Sequence, residues 1–260
     1  MSFQLHHNCY ILKTRVDCTS YTDACDRIQA WVEAGVSGYV VAANVHVVMT
    51  AYRDPCYQTI LSHAALVTPD GMPLVWGLRW LGVSHQPRVY GPDLMLAWCE
   101  RAAKLRLPIY LYGGTVDRLD RLAVYLKQHF PGLVISGSHA PPFRALSPEE
   151  EAIDVERIQR SGAAVVFVGL GCPKQEQWMY RQVNQLQAVM IGVGAAFDFL
   201  SGEVSQAPGW MMALGLEWVY RLSQEPGRLW RRYLINNPQF ILLFGLQMLA
   251  QGWRRFRVPD

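Results

Sequence analysis

The sequence predicts an α/β fold, a Rossmann-like, mostly parallel sheet flanked by helices, followed by a helical, basic C-terminal appendage. A short apolar run, a break at Gly, Asn or Pro, and a helical pattern recur three times, from residues 38, 108 and 163. The runs AVVFVGLG and AVMIGVGA are continuously apolar, as in strands buried on both faces. After LSGEVSQAPGW the chain becomes helical, aromatic and basic. We therefore predict an α/β domain over residues 1–204 and the appendage over residues 205–260.

The breaks that follow the predicted strands are the first candidates for a binding site, because ligands of parallel sheets bind beyond the carboxyl ends of the strands. Asp70, in the turn VTPDGMP, follows the strand-like ALVT and would join the same rim. A Pro-Asp-Gly turn is ordinarily only a turn, since Pro and Gly supply its backbone angles. The remaining candidates on this rim are Asn44, Gly113, Gly114, Thr115, the stretch 169–174 and the stretch 192–198.

The segment SHAPPFRALSPEEEAIDVERI is interpreted as structural, a proline-rich surface loop that leads into a helix. Ser147 is the expected N-cap, and Glu149, Glu150 and Glu151 occupy the first turn, where the helix dipole favours acids.

Composition excludes several classes of protein. The chain is 51% hydrophobic with a net charge of +3, too little for a nucleic-acid binder, and we expect no nucleic-acid partner. Seven arginines against two acids give residues 221–260 a charge of +5. Six scattered cysteines without CxxC predict reduced cytosolic thiols. The first residues lack a basic stretch followed by an apolar one, which argues against export, and no apolar run is long enough to span a membrane.

Polar residues follow the strand-like VVFVG. GLGCPKQEQW places Lys174 and Gln175 at a helix start, where they could hold a diphosphate or a sugar hydroxyl, or simply form a polar first turn. Neither GxGxxG with a following acid nor GxxxxGK[ST] occurs, so no dinucleotide fingerprint or P-loop is predicted.

Arginines supply the second group of candidates. Arg221, Arg228 and Arg231 share one face if their helix is continuous, although the Pro226–Gly227 pair can break it. They form either a clamp for a diphosphate or a solvated basic face. Asp-x-Asp and clustered histidines are absent from the sequence, so we expect no divalent metal, and leaving-group charge would fall to these arginines.

Apolar residues recur at three and four positions in the last segment, residues 238–256, and arginines follow them. Such a helix can lie in a membrane interface, or pack on the domain or on another subunit. The residues concerned are Leu242, Leu246, Leu249, Trp253 and Phe256, with Arg254, Arg255 and Arg257 at the end.

Seven motifs in order carry a family resemblance: VVAANVHVV, TPDGMPLVW, RVYGPDLM, LYGGT, VFVGLGCPKQEQW, GVGAAFDFLSG and GLEWVYRLSQEPGRLWRRY. Over residues 40–232 the chain resembles the WecG/TagA/CpsF family of bacterial glycosyltransferases. The resemblance implies inverting, metal-independent transfer of an N-acetylmannosaminyl, related uronic acid or glucosyl group from a UDP-sugar to a sugar linked through pyrophosphate to undecaprenol. It further implies a peripheral enzyme on the inner face of the cytoplasmic membrane, whose appendage completes the active site.

The resemblance also assigns roles to residues. The aspartate of the family's PDG motif, proposed as general base, corresponds to Asp70. Asn44 and Gln175 would contact the sugar nucleotide or acceptor sugar, and Arg88 the region of the acceptor phosphates. The appendage arginines thought to hold the donor pyrophosphate correspond to Arg221, Arg228 and Arg231. Further substrate-binding candidates on the rim are Gly113, Gly114, Thr115, Lys174 and Asp198.

The chain departs from the family pattern at two places. Ala42 stands where many relatives have Thr, and Ser205 and Gln206 stand where relatives often have a basic pair. These departures bear on sugar identity and acceptor contacts, and not on the reaction class.

Two other functions stay open at this point. One is a non-catalytic UDP-sugar sensor that docks on a membrane complex; the other, weakened by the missing fingerprint, is an NAD-dependent oxidoreductase. Family members associate, but the sequence does not fix whether this chain forms a homo-oligomer.

Overall fold

The computed structural model describes residues 8–255, and its centre is a six-stranded parallel sheet. The sheet consists of β3 (Gly38–Ala43), β4 (Leu66–Pro69), β5 (Ile109–Gly113), β6 (Ile135–His139), β7 (Val165–Gly169) and β8 (Val189–Gly192), in the spatial order β4-β3-β8-β7-β5-β6. An antiparallel hairpin, β1 (Asn8–Ile11) with β2 (Thr14–Asp17), lies beside β4, where Asp17 Oδ2 accepts a hydrogen bond from Val67 N at 2.6 Å. The predicted Rossmann-like α/β fold is confirmed.

Helices connect the strands and cover both faces of the sheet. They are α1 (Tyr21–Glu33), α2 (Val45–Arg53), α3 (Pro55–Ser62), α4 (Met72–Trp80), α5 (Gly91–Leu105), α6 (Val116–His129), α7 (Pro148–Arg160), α8 (Lys174–Gln182) and α9 (Ala196–Leu200). Three more helices follow: α10 (Gly209–Ala213), α11 (Glu217–Gln224) and α12 (Pro226–Arg255).

The four inner strands, β3, β5, β7 and β8, are largely apolar because each side of the sheet has its own core. All six residues of β3 are buried, and alternate ones belong to different cores: Tyr39 and Val41 to one, Val40 to the other. Side chains of a strand point alternately to opposite faces, so a strand covered on both sides disfavours polar residues, and a buried one needs a partner, as Thr68 has in Val89 O. Most polar side chains therefore lie at the strand ends.

Several of these polar residues begin the next helix. Asn44 Oδ1 accepts from His46 N and Val47 N at the start of α2, and Thr115 Oγ1 accepts from Arg118 N at the start of α6. Ser147 caps α7 in a capping box with Glu150, which confirms the cap expected from the sequence.

The C-terminal segment contains a helix break at Glu225, next to the Pro226–Gly227 pair that the sequence offered as a possible break. α11 ends at Gln224 and α12 starts at Pro226, so Arg221 and Arg228 belong to different helices. α12 then packs along α2, α4 and the hairpin. Phe240 and Phe244 are buried with ring centroids 5.6 Å apart, and Trp80 of α4 stacks on Phe244.

Two polar side chains fix the position of α12. The Asn236 amide nitrogen donates to His46 Nδ1 at 3.1 Å, while Gln247 accepts from Leu12 N at 2.7 Å and donates to Tyr10 O at 2.8 Å. The glutamine amide satisfies two backbone groups of the hairpin, so the helix is held by hydrogen bonds as well as by aromatic packing.

A second face of α12 is apolar and exposed. Leu242, Leu246 and Leu249 are each more than half exposed and recur at four and three residues, on one side of the helix. Within the described residues, no helix has the length and apolar character needed to cross a bilayer. Phe256 and Arg257 lie outside the described residues, and the side chains of Trp253, Arg254 and Arg255 are likewise not described.

Gly113 ends β5 at a position where a side chain would clash with the backbone of β7. Its φ is +124°, and a Cβ there would lie 2.6 Å from the carbonyl oxygen of Gly169. We expect Gly113→Ala to lower the free energy of unfolding by about 2 kcal/mol or more, through strain and a backbone clash.

Denaturant unfolding of Gly113→Ala beside Gly209→Ala measures this. Gly209 has no atom within 4 Å of an added Cβ and an ordinary φ, so its variant is expected to match the parent. Equal stability of the two variants would contradict the packing described for β5 and β7.

Candidate active site

A cavity of about 1640 Å³ opens at the carboxyl edge of the sheet and is covered by the C-terminal helices. The strand-end residues on its wall include most of the predicted candidates: Asn44, Asp70, Gly114, Lys174, Gln175 and Asp198. Gly113 lies buried at the end of β5, and Thr115 is exposed at its cap; neither lines the cavity. Most of the predicted rim residues share one crevice. Outside its wall lie Gly113, Thr115 and, from the two predicted stretches, Pro173, Gly192, Ala196 and Phe197.

The turn that carries Asp70 is fixed on two sides. Asp70 N and Gly71 N both donate to Ala43 O, at 2.8 and 3.3 Å, so the turn is tied to the end of β3. A side chain at Gly71 would meet Asn44 Cβ at 3.2 Å, which shows how closely the two strand ends approach. From the other side, Arg88 Nε donates to Asp70 O. The carboxylate is thus presented to the cavity on a constrained backbone.

Asp70 is a carboxyl group whose proton affinity is tuned by its surroundings. Its side chain is only 13% exposed, and burial raises the pKa of Asp70 to about 7. Arg88 lowers that pKa, and Glu217 raises it. A carboxyl group that titrates near neutrality can take a proton from a bound hydroxyl at physiological pH.

Arg88 is held by several groups around Asp70. Its Nη2 lies 2.6 Å from Glu217 Oε2 and 3.5 Å from Asp70 Oδ1, and its guanidinium lies 4.0 Å from the centroid of the Tyr90 ring. The Tyr90 hydroxyl donates to Glu217 Oε1 at 2.8 Å. Tyr90 and Glu217 line the cavity beside Asp70 and were not among the sequence candidates, although both stand inside quoted motifs, RVYGPDLM and GLEWVYRL.

The arginines of the C-terminal helices form the cationic part of the wall. Arg221, Arg228 and Arg232 line the cavity. The Nε atoms of Arg221 and Arg232 are buried without a hydrogen-bond partner among the described residues. Buried donors of this kind call for an acceptor, and a diphosphate supplies several oxygen acceptors to planar guanidinium groups.

Arg231 does not reach this wall. Its side chain is exposed and its guanidinium lies 5.2 Å from the Trp230 ring. The helix break at Glu225 separates only Arg221 from the others, because Arg228, Arg231 and Arg232 all lie on α12. Spacings of three and of four residues both keep two side chains on one side of a helix, so the spacing did not distinguish Arg231 from Arg232. Arg232, one residue further along, takes the inward position.

Asp198 lies beside a further arginine. Arg118 Nη1 is 2.6 Å from Asp198 Oδ1, and Arg118 Nε is 2.7 Å from Glu203 Oε2. Burial raises the pKa of Asp198 although Arg118, Arg228 and Arg221 all act to lower it. Arg118 also lines the cavity, and no pattern in the sequence of α6 distinguishes it from a surface residue.

Asn44 and Gln175 have structural partners as well as cavity positions. Asn44 Oδ1 is used by the α2 cap. Gln175 Nε2 donates to Glu176 Oε1 at 2.7 Å, and Gln175 Oε1 accepts from Gly194 N at 3.3 Å. Glu176 is fully buried, and burial raises its pKa. Gln175 therefore joins the start of α8 to the loop after β8.

The proline-rich loop was interpreted from the sequence as purely structural, but it lies at the cavity. Residues 141–146 line the cavity, with Phe143 exposed, so the segment is more than the structural approach to α7. Its composition resembles that of an ordinary surface loop, and nothing local indicates that β6 ends at the same edge as the other strands.

The cavity thus combines a carboxyl group that titrates near neutrality with cationic groups. Asp70 can accept a proton, and the arginines and Lys174 can hold a doubly charged leaving group. Within residues 8–255, no group of three His, Cys, Asp or Glu side chains is arranged to hold a metal ion.

The sequence of the chain is similar to one protein family and to two enzymes of that kind. The model of the family described as Glycosyl transferase WecG/TagA/CpsF family matches residues 9–255. An N-acetylglucosaminyldiphosphoundecaprenol N-acetyl-beta-D-mannosaminyltransferase of Bacillus spizizenii is 30% identical over 212 residues, 81% of this chain and 80% of that protein. A protein of the same name from Bacillus subtilis is 29% identical over 225 residues, 86% of this chain and 84% of its own.

Binding of inorganic pyrophosphate distinguishes the inward from the outward arginines. We expect Arg232→Ala and Arg228→Ala each to weaken pyrophosphate binding about tenfold, since each removes charged hydrogen-bond donors from the wall. Arg231→Ala is expected to weaken it far less. Isothermal titration calorimetry measures the three constants, and an equal loss in Arg231→Ala and Arg232→Ala would contradict the assignment of the cationic wall.

Proposed function

Because its family model matches residues 9–255, the chain belongs to the WecG/TagA/CpsF glycosyl transferase family, and we propose that it transfers N-acetylmannosamine from a UDP-sugar. The proposed acceptor is N-acetylglucosamine attached through diphosphate to undecaprenol. Both curated relatives carry these sugars and this lipid in their names, and each aligns with more than four fifths of the chain.

One observation carries the proposal: a carboxyl group with a pKa near 7 lies in the same cavity as three arginines from the C-terminal helices. Glycosyl transfer to a hydroxyl requires a base for the incoming oxygen and neutralisation of charge on the leaving diphosphate. Asp70 is suited to the first task, and Arg221, Arg228 and Arg232 to the second.

The proposed step is a single displacement. The acceptor hydroxyl attacks the anomeric carbon from the face opposite UDP, the bond from that carbon to the UDP oxygen breaks, and the hydroxyl proton passes to Asp70. UDP leaves with the bonding electron pair, and the configuration at the anomeric carbon inverts. The negative charge of ionised Asp70 also stabilises an oxocarbenium-like transition state.

We propose that transfer needs no divalent metal. The support is the supply of fixed positive charge on the wall, where two buried guanidinium nitrogens lack partners among the described residues. Arginine keeps its charge at every physiological pH and binds diphosphate oxygens in pairs, so it can replace a cation in stabilising the leaving group.

The lipid part of the acceptor has a suitable apolar surface beside Asp70. The helix that starts after the Asp70 turn, α4, contributes Trp76 and Trp80 to the cavity wall, and α12 contributes Phe244 and Met248. Trp80 is 66% exposed although it stacks on Phe244. This apolar surface lies on the same cavity wall as Asp70 and extends along α12, which suits a polyprenyl chain.

We further propose that the exposed α12 face lies on the inner surface of the cytoplasmic membrane. Leu242, Leu246 and Leu249 form an apolar strip on a helix that is otherwise held to the domain, as in peripheral interfacial helices. The enzyme would then meet its lipid-linked acceptor at the membrane surface.

The assay that tests the function uses a panel of labelled UDP-sugars and undecaprenyl diphosphate N-acetylglucosamine, with and without EDTA. We expect transfer from UDP-N-acetylmannosamine that EDTA does not reduce. The rate is expected to rise with pH through about 7, because Asp70 acts as a base only after losing its proton.

Asp70→Asn removes the base and keeps the size of the side chain. It is expected to reduce transfer at least about a hundredfold while UDP binding stays within about threefold of the parent. Transfer by Asp70→Asn at the parental rate would refute the assignment of the base, and UDP binding without transfer from any donor would favour a binding protein.

Vesicle co-sedimentation tests the membrane face. Leu246 and Ile153 are both 54% exposed, the first on α12 and the second on α7. With vesicles containing phosphatidylglycerol, Leu246→Glu is expected to lose most binding because it places a charge in the interface, whereas Ile153→Glu retains it. Equal binding by both variants would count against α12 as the contact.

A further inference from the structure

Glu217 links the C-terminal helices to the residues around Asp70. It is the first residue of α11, and its side chain is 16% exposed. One carboxylate oxygen accepts from Arg88 Nη2 at 2.6 Å and the other from the Tyr90 hydroxyl at 2.8 Å. Both partners belong to the segment that packs against the Asp70 turn.

Two carboxylates compete for the same nitrogen of Arg88. Nη2 lies 2.6 Å from Glu217 Oε2 and 3.5 Å from Asp70 Oδ1, so its short, strong contact is with Glu217. The remaining contacts of Arg88 restrict its movement: Nε donates to Asp70 O, and the guanidinium lies 4.0 Å from the Tyr90 ring centroid. Arg88 is therefore held beside Asp70 without forming a close ion pair with it.

The electrostatic consequence follows from the charges that face Asp70. Arg88 and Arg232 favour the ionised form and lower its pKa, while Glu217 repels it and raises the pKa. Glu217 also pairs with Arg88, and its negative charge partly offsets the effect of the Arg88 charge on Asp70. A close Arg88 pair on Asp70 alone would make Asp70 a weaker base, because an opposite charge at contact distance stabilises the carboxylate.

We propose that Glu217 is a positioning residue, which engages Arg88 and thereby leaves Asp70 free to act as the base when α11 lies against the α/β core. The inference rests on the proposed function of Asp70. It assigns to the C-terminal helices a part in the proton transfer, in addition to their arginines.

Glu217→Gln tests this with little change in shape. The amide keeps the length of the side chain and one acceptor, but it removes the charge that faces Asp70 and pairs with Arg88. We expect the acid limb of the kcat/KM profile, measured from about pH 5 to about pH 9, to move to lower pH by about one unit. The plateau at high pH is expected to fall several-fold because Asp70 is then the weaker base.

Two further variants distinguish this from a purely structural role. Glu217→Asp keeps the charge and should leave the acid limb near its parental position, even where the shorter side chain lowers the plateau. Glu156→Gln, a matched exchange of a carboxylate that pairs with Arg160 on the surface of α7, should leave the whole profile unchanged.

The outcomes separate the two proposals. A uniform loss in Glu217→Gln with an unmoved acid limb, or equal limb shifts in Glu217→Gln and Glu217→Asp, would overturn the role of Glu217 while leaving the function intact. Parental transfer by Asp70→Asn would instead remove the premise. Should Glu217→Gln fail to fold, the acid limb of the Glu217→Asp profile still tests the proposal. A shift of that limb by about one pH unit would contradict the proposal, since the charge is retained.

Discussion

The site depends on a constraint of parallel sheets: strands covered on both faces leave polar residues a place mainly at their ends. In β3 every residue is buried, and the first polar side chain after it, Asn44, caps the next helix at the cavity wall. The same rule places Asp70 after β4 and Gln175 shortly after β7. Because parallel strands end at one edge, residues far apart in the chain meet in one crevice.

The C-terminal helices turn this open edge into a cavity. Phe240 and Phe244 bury α12 against the core, and Asn236 and Gln247 add hydrogen bonds to α2 and the hairpin. These helices also change the surroundings of Asp70, since they shield its carboxyl group from water and add the charge of Glu217. Burial of a carboxyl group favours its neutral form, so the helices that close the cavity also affect the pKa of Asp70.

Local patterns in the sequence were sufficient to predict the sheet, the Ser147 cap and the common crevice that contains Asp70. They could not predict contacts between segments that are distant in the chain. Glu217 contacts Arg88 across 129 positions, and no spacing rule connects them. The inward arginine is Arg232 instead of Arg231, and spacing could not distinguish them, since residues three and four positions after Arg228 both lie on its side of α12. Residues 141–146 reach the cavity through the end of β6, which depends on strand order.

Several arginines of the cavity pair with acids. Arg118 pairs with Asp198, Arg88 with Glu217, and Arg221 and Arg228 with Glu225 at 3.5 and 2.7 Å. These pairs fix long side chains that would otherwise lose rotational freedom when a ligand binds, so part of the ordering cost is met during folding. A diphosphate that enters must then compete with carboxylates for the same donors, which favours a ligand with more charge than one carboxylate. We therefore expect the ion pairs to favour binding of diphosphates over singly charged anions.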